Sequence, residues 1–412
     1  MRGIIEPAAH RAGLCCRAAM NANEPAAAAV PRAGRWLGLD ALRGLTIAAM
    51  ILVNNPGRWG EADRYAPLQH AKWHGCTFTD LVFPTFLFCA GVAIVPAFAK
   101  KLATGAARGP LVFGIGKRVV WLVLLGMLLS AFPLVTFADG EALFAPLWRT
   151  RFPGVLQRIG VCYGIAALLF LFTRERTQRA VLWGCLVAYW PLITLVPVPD
   201  FGTPDIDQPM GTLEGYVDRL VFGRHIYVKG QYDPEGLLST IPALATCLFG
   251  VAAGRVLRAD GELAGKIATL LRRGALLMLL GALWGWFLPH NKYLWTSSYA
   301  VWTAGIATTG LALAVWAFEL RAWTRWAHPL QVYGVNALLV FVGSGLVGRV
   351  VGSLWKVTAD GHELSAKEWF FRSVLLPVGD VRFASLSFAL TWVGGWYAVL
   401  AVLYRRGIVW KV

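Results

Sequence analysis

The chain has 412 residues, of which 57% are hydrophobic and 15% are charged, and its mean hydropathy is +0.55. Soluble domains carry about a quarter charged residues, so this composition excludes a soluble protein and indicates a membrane protein with the lipid bilayer as its partner. The net charge of +16 does not indicate a nucleic-acid partner, because the basic residues are spread over many short connectors between apolar segments.

The first 34 residues are rich in Ala and Arg and contain no apolar stretch of signal-peptide length. We predict a disordered extension over residues 1–34, with a transit peptide as the alternative, and one membrane domain over residues 35–412. Seven cysteines, an odd number without Cys-x-x-Cys spacing, indicate neither a disulfide framework nor a zinc site.

Apolar segments of about spanning length recur along the rest of the chain. They predict an all-α fold, a polytopic membrane helix bundle of about ten transmembrane helices. The predicted spans are residues 37–55, 77–98, 113–135, 153–172, 180–197, 237–257, 274–289, 299–318, 330–350 and 383–404.

The connecting loops form two sets that alternate along the chain. The first set contains 23 Lys and Arg against 6 Asp and Glu, and the second contains 13 against 15. The positive-inside rule therefore predicts that the first set and both termini are cytoplasmic. The outer set is 56–76, 136–152, 198–236, 290–298 and 351–382. In that set we expect the acidic loop 198–236 to form a small cap.

Ionisable groups within a membrane span are costly, so each is a candidate functional residue. The first span contains Asp40 and Arg43, which can pair on one helix face. At 100° per residue, Arg43, Ile47, Met50 and Asn54 form one stripe of about 16 Å. The stripe predicts a polar path facing the bundle interior, and the alternative is an ion pair that only joins helices.

A histidine-rich outer loop precedes the second span. It carries His70, Trp73 and His74, and Asp80 follows at the start of the span. A His beside a carboxylate can be held in one tautomer and act as a general base or nucleophile. The alternative is that both histidines are polar interface residues. The segment reads as a loop without a third ligand, so we predict no metal.

Basic residues around the fourth span can hold an anion. Arg151 and Arg158 lie seven residues apart around the start of the fourth span and suit phosphate, carboxylate or an oxyanion. Equally, they can pair with Asp40 or Asp80. Arg349 lies at the end of the ninth span.

No Walker A, nucleophile-elbow or Rossmann motif occurs in a supporting context, so a nucleotide-bearing donor would need basic side chains at the cytoplasmic mouth. Topology places Arg35, Lys117 and Arg118 there, and the alternative for each is a positive-inside anchor. On the outer side, the loop before the eighth span carries Asn291, Lys292 and Trp295, a composition that suits a sugar or the membrane interface. Asn336 in the ninth span needs a buried partner.

Taken in order, these segments resemble the heparan-α-glucosaminide N-acetyltransferase family over essentially residues 35–405. The resemblance is carried by Leu39-Asp40-Ala41-Leu42-Arg43-Gly44, Val53-Asn54-Asn55, His70-Ala71-Lys72-Trp73-His74-Gly75, Asp80-Leu81-Val82-Phe83-Pro84, Pro153-Gly154-Val155-Leu156-Gln157-Arg158, Glu235-Gly236-Leu237-Leu238-Ser239-Thr240-Ile241-Pro242 and Asn291-Lys292-Tyr293-Leu294-Trp295.

The resemblance implies a transmembrane acyltransferase that uses cytosolic acetyl-CoA as co-substrate and acetylates a glucosamine-type amino sugar on the other side. It implies that His70 is the active-site histidine, whereas His74 stands where the lysosomal member has Asn and receives no catalytic role. The matching polar positions in the first two spans are Asp40, Arg43, Asn54 and Asp80. Since no counterpart of the long luminal domain of the lysosomal member is seen, we expect a bacterial inner membrane.

The predicted roles combine what the residue patterns indicate with what the family resemblance implies. Catalysis is assigned to His70, Asp80 and Asn54. Donor binding is assigned to Asp40, Arg43, Arg35, Arg151, Arg158, Lys117 and Arg118. Acceptor binding is assigned to Trp73, Asn291, Lys292, Trp295 and Glu235. The sequence permits a homodimer without specifying one.

Several hypotheses remain open at this point. His70 either takes a proton from the acceptor amine or is acetylated first in a ping-pong reaction. Other functions are an amino-sugar transporter, an O-acetyltransferase of envelope polysaccharide, or a structural subunit that keeps the fold without activity.

Overall fold

The computed structural model describes residues 36–136, 142–199, 201–359 and 361–410. The predicted extension 1–34 and Arg35 lie outside these residues. The helices are α1 Leu37–Asn54, α2 Phe78–Ala103, α3 Arg108–Ala131, α4 Ala145–Trp148, α5 Val155–Phe172, α6 Glu175–Leu195, α7 Leu213–Phe222, α8 Thr240–Arg258, α9 Leu263–Gly285, α10 Ser297–Val315, α11 Thr324–Val335, α12 Ala337–Arg349, α13 Ala366–Phe370 and α14 Val381–Arg405. Strands β1 Lys356–Ala359 and β2 His362–Ser365 pair in an antiparallel hairpin.

The predicted all-α polytopic bundle is confirmed. Nine helices in the described part of the chain are long and apolar enough to cross a membrane: α1, α2, α3, α5, α8, α9, α10, α12 and α14. Of these, α10 and α12 are counted with the π-helical turns that continue them to Leu320 and Leu354. The predicted fifth span forms α6, which has a spanning length of 21 residues but is less apolar than these nine helices.

Two predicted spans differ from the helices observed. The seventh is predicted to begin at 274, but α9 begins at Leu263, because Ile267 and Leu270 continue the buried face of Gly274 at helical spacing. The ninth is divided into α11 and α12 at Asn336. The Asn336 amide donates to Ile408 O at 3.1 Å and accepts from Trp410 N at 2.9 Å, so its buried partner is the C-terminal backbone.

Small residues bring the helices that carry the site into close contact. A Cβ at Gly44 of α1 would lie 1.7 Å from Leu330 O of α11, and a Cβ at Gly91 of α2 would lie 1.9 Å from Cys247 O of α8. Larger side chains at these positions would force the backbones apart, as expected for glycine at membrane helix interfaces. These contacts fix the positions of α1 and α2, which border the polar loops.

The loops of the predicted outer set meet at one end of the bundle. Loop 56–76 is hydrogen-bonded to loops 198–236, 290–298 and 351–382, and loop 136–152 is hydrogen-bonded to 198–236. This arrangement agrees with alternate crossing of the helices, whereas the side of the membrane on which each end lies stays a prediction.

Candidate active site

A short polar contact at this end joins His70 to Asp80. Nδ1 of His70 lies 2.6 Å from Oδ1 of Asp80, whose side chain is 1% exposed. The local sequence explains the placement, because Thr77 and Asp80 form a capping box at the start of α2. Oδ2 of Asp80 accepts the backbone N–H groups of Thr77 and Ala71, both at 3.0 Å. The carboxylate is thus held in one orientation.

The hydrogen-bond pattern assigns the tautomer of the His70 ring. An ionised carboxylate only accepts hydrogen bonds, so Nδ1 of His70 carries the proton that Asp80 accepts. Nε2 is left with its lone pair. This is the state that a general base or nucleophile requires.

Lys292 completes this cluster from a distant part of the chain. Its Nζ lies 3.0 Å from Nδ1 and 3.2 Å from Nε2 of His70, and 3.7 Å from Oδ1 of Asp80. Because Nδ1 donates to Asp80, Nε2 is the ring atom that can accept from Lys292. Burial lowers the pKa of Lys292, although Asp80 and Glu235 oppose this change. The amine therefore loses its proton more readily than an exposed lysine does.

His74 forms a separate pair in the same loop. Its Nε2 lies 2.8 Å from Oδ1 of Asp207, and its Nδ1 accepts from the Asn291 amide at 3.3 Å. The Asp207 side chain is 74% exposed. Asn291 also accepts from Leu294 N at 2.9 Å, so it holds the two outer loops together.

Aromatic rings lie beside the His70 cluster. Trp73 stacks on Tyr293 with ring centroids 5.4 Å apart, and Tyr232 packs edge-on against both rings. The Tyr293 hydroxyl donates to Ala71 O at 3.0 Å, next to His70. Flat aromatic faces of this kind suit a sugar ring. Neither tyrosine was predicted to be a site residue. The only signal in the sequence was the position of each one close to a candidate residue.

Trp295 is buried deeper than expected for an acceptor-binding residue. Its side chain is fully buried, and its Nε1 donates to Thr246 Oγ1 at 3.1 Å. The Arg158 guanidinium lies 5.2 Å from the Trp295 ring and donates to Gly236 O at 3.0 Å. Trp295 and Arg158 thus support the loop that carries Glu235.

Arg151 is bound by two carboxylates of the predicted cap. Its Nε donates to Oδ2 of Asp233 at 2.7 Å, and its Nη2 contacts both Asp233 and Glu235. Burial alone would lower the pKa of Arg151, but Glu235 and Asp233 raise it above its usual value. The alternative pairing of Arg151 and Arg158 with Asp40 or Asp80 is therefore wrong.

A cavity of about 750 Å³ opens beside this network, between the predicted cap and the helix ends that carry the other predicted outer loops. Asn54 and Arg151 line it, whereas His70, Asp80 and Lys292 do not. The two regions adjoin through Glu235, whose pKa is lowered by Arg151 and by Lys292 against the opposing effect of burial.

The predicted polar path along α1 is interrupted. Asp40 and Arg43 pair at 2.8 Å, and Arg43 Nε donates to Gly334 O at 2.9 Å. Ile47, which is 1% exposed, separates this pair from Met50 and Asn54 at the cavity wall. The ion pair thus joins α1 to α11. Neither Asp40 nor Arg43 lines the cavity, and their role in donor binding stays a prediction.

Two further predicted donor-binding residues, Lys117 and Arg118, have no contact with the His70 cluster. Lys117 and Arg118 are exposed on α3, and the Arg118 guanidinium lies 4.5 Å from the Tyr163 ring centroid. Neither residue lines the cavity. Within the described residues, no group of three or more His, Cys, Asp or Glu side chains could hold a metal ion.

Comparison with known proteins places this architecture in a family. The chain is 28% identical over 435 residues to heparan-alpha-glucosaminide N-acetyltransferase of Mus musculus, which covers 92% of this chain and 61% of that protein. The Homo sapiens protein of the same name is also 28% identical, with 92% and 60% covered. The chain spans about three-fifths of the length of these curated relatives. The family model for heparan-alpha-glucosaminide N-acetyltransferase, catalytic, matches residues 35–283. More than half of the chain therefore carries that match, and the protein belongs to the heparan-alpha-glucosaminide N-acetyltransferase catalytic family.

Proposed function

We propose that this protein is a membrane acetyltransferase that moves acetyl from acetyl-CoA to the amino group of a glucosamine-type sugar. One observation carries the proposal, the 2.6 Å contact between His70 and the buried carboxylate of Asp80. It supplies an oriented imidazole whose Nε2 is unprotonated, at the end of the bundle where the polar loops meet. Family membership and the names of the two mammalian relatives support the same activity.

The chemistry needs a proton acceptor at the amine. The amine nitrogen bonds to the thioester carbon, the carbon–sulfur bond breaks, and the proton released by the amine passes to Nε2 of His70. The thiolate of coenzyme A then takes that proton. Asp80 stabilises the imidazolium formed in between. In the covalent alternative, Nε2 bonds to the acetyl carbon while the carbon–sulfur bond breaks and releases the thiolate. The amine nitrogen then bonds to the same carbon, the carbon–Nε2 bond breaks, and the proton released by the amine neutralises the thiolate.

Lys292 and the aromatic rings define where the acceptor amine approaches. Nζ of Lys292 lies 3.2 Å from Nε2 of His70, so the acceptor amine replaces Lys292 at that nitrogen. Trp73 and Tyr293 supply the neighbouring ring faces. Asn54 at the cavity wall is placed to donate to the thioester oxygen of a donor held there.

The sidedness is also part of this proposal. We place the donor's entry on the cytoplasmic side and the acceptor on the outer side of a bacterial inner membrane. The alternating charge of the loops and the meeting of all five predicted outer loops at the His70 end support this orientation.

The test uses purified full-length protein in liposomes, with labelled acetyl-CoA on one side and glucosamine on the other. Wild type should form N-acetylglucosamine, and His70→Ala should lower the rate about 10²- to 10⁴-fold, the usual contribution of a general base. His74→Asn is the matched control, since it removes a histidine from the same loop, and should retain most activity. Sugar uptake without transfer to any amine or hydroxyl acceptor would instead identify a transporter.

A further inference from the structure

The charged side chains at the cavity wall all have one sign. Among the described residues that line it, there is no Asp or Glu. The cationic residues are Arg149, Arg151, Lys229, Arg349 and Lys367. The cavity therefore presents a positive surface to whatever it binds.

Two half-buried cations of this set, Arg349 and Lys367, have no carboxylate partner among the described residues, and the exposed Lys229 has none there either. The charge of Arg151 is met by Asp233 and Glu235. Arg349 is half-buried and forms no hydrogen bond or ion pair with another residue in the described part of the chain. Lys367 has no ion pair there either, and its Nζ lies 5.3 Å from the Phe388 ring centroid.

The carboxylate nearest in sequence to Lys367, that of Glu368, is hydrogen-bonded to two arginines and not to Lys367. Glu368 Oε1 accepts from Arg58 and from Arg372, both at 2.6 Å. Burial lowers the pKa of Lys367, with Glu368 opposing the change. A half-buried cation without an anion has lost hydration that nothing in the described residues replaces.

The rest of the wall leaves room for a ligand beside these cations. Gly345, Gly348 and Gly352 line the cavity without side chains, next to Arg349. Trp392 also lines the cavity, beside Gly348, and its Nε1 donates to Ser344 Oγ at 3.0 Å, which fixes the ring. A planar guanidinium, an ammonium and an aromatic face together suit an oxyanion attached to a ring.

We propose that Arg349 and Lys367 form a subsite for a phosphate group carried by one of the two substrates. The inference rests on the proposed acetyl transfer and extends it to residues that no predicted role included. Two sources share this chemistry: a phosphate on the acceptor sugar, which this end of the bundle receives in the proposed orientation, or the phosphates of coenzyme A, which would require the donor to enter at this end.

A binding experiment tests the subsite without using activity. Thermal unfolding of the detergent-purified full chain is measured with inorganic pyrophosphate and with sodium chloride of equal ionic strength. Pyrophosphate should raise the Tm of wild type above the salt control, since a ligand that binds the folded state stabilises it. Arg349→Gln and Lys367→Gln should lose the shift, and Arg349→Lys should retain part of it.

Lys356→Gln is the matched control, because Lys356 is exposed in the same loop segment and does not line the cavity. It should keep the full pyrophosphate shift. Equal shifts in wild type and in both cavity variants, or no shift beyond salt in wild type, would overturn the subsite.

Kinetics then identify the substrate that carries the phosphate. If it is the donor, Arg349→Gln should raise KM at least about tenfold for acetyl-CoA and leave it unchanged for S-acetylpantetheine, which has no phosphate; one lost charged contact has about this effect. If it is the acceptor, KM should rise for glucosamine 6-phosphate and not for glucosamine. Unchanged KM values for all four compounds contradict the inference. Absence of transfer in wild type would refute the proposed function alone, since the pyrophosphate shift is independent of it.

Discussion

His70 and His74 lie four residues apart in one loop, and each contacts an aspartate, at 2.6 and 2.8 Å. Their surroundings differ. Asp80 is 1% exposed and is held by two backbone N–H groups, whereas Asp207 is 74% exposed. Water and salt screen the second pair, and exposed pairs contribute little. The comparison teaches that burial of the carboxylate, rather than the His–Asp distance, separates an oriented pair from a surface contact.

The largest effect should come from Asp80→Asn. The amide has nearly the same shape but no charge, so it stabilises neither the Nδ1–H tautomer nor the imidazolium of His70. We expect kcat to fall about 10²-fold or more with a smaller change in KM, measured by acetyl transfer to glucosamine. If the variant folds and retains wild-type kcat, the carboxylate does not orient the base and the distinction between the two pairs fails.

An intermediate effect, on stability, should come from another buried carboxyl, that of Glu214. Glu214 of α7 is 2% exposed and lies against the Tyr189 hydroxyl, which is also 2.6 Å from Leu294 O. The phenol has one proton for two acceptor oxygens, so the second contact requires a proton on Glu214. Burial raises the pKa of Glu214 to about 7.

The sign of the pH dependence follows from that shift. Because the pKa of Glu214 is higher in the folded than in the unfolded chain, its contribution to stability is complete below about pH 4.5 and is lost as pH rises through about 7. Glu214→Gln keeps the neutral form, so its Tm should fall less than that of wild type between pH 5 and 8. Parallel Tm curves for the two proteins would contradict a protonated Glu214 in the folded chain.

The smallest effect should come from Asp207→Asn, which removes the charge of the exposed pair. We expect the rate of acetyl transfer to change less than about fivefold and the free energy of unfolding to change by less than about 1 kcal/mol. Thermal unfolding and the glucosamine assay measure both. A loss as large as that in Asp80→Asn would show that the exposed pair is also part of the catalytic machinery.

Some of the site could be read from the sequence because its causes are local. Thr77 and Asp80 have the spacing of a capping box at the start of α2. His70 lies in the loop that leads into the same helix. Asp40 and Arg43 pair as the helical spacing predicts. The roles predicted for these residues in catalysis and donor binding stay predictions, because geometry alone does not test them.

Other contacts could not be read because they join distant segments. Lys292 reaches His70 across 222 positions, and Arg151 reaches Asp233 across 82. Helical periodicity placed Ile47 on a polar stripe, but packing against α11 buries it and closes that path.

By itself, the sequence determined the membrane helices and the family, because hydropathy over about 20 residues and ordered motifs are properties of the chain alone. Tertiary structure decided which charges are paired and which face the cavity. The physical reason is that the outer loops are brought together by helix packing at close contacts such as Gly44 on Leu330 and Gly91 on Cys247. Whether a carboxylate is buried or a cation lacks a partner depends on that packing, and no local pattern records it.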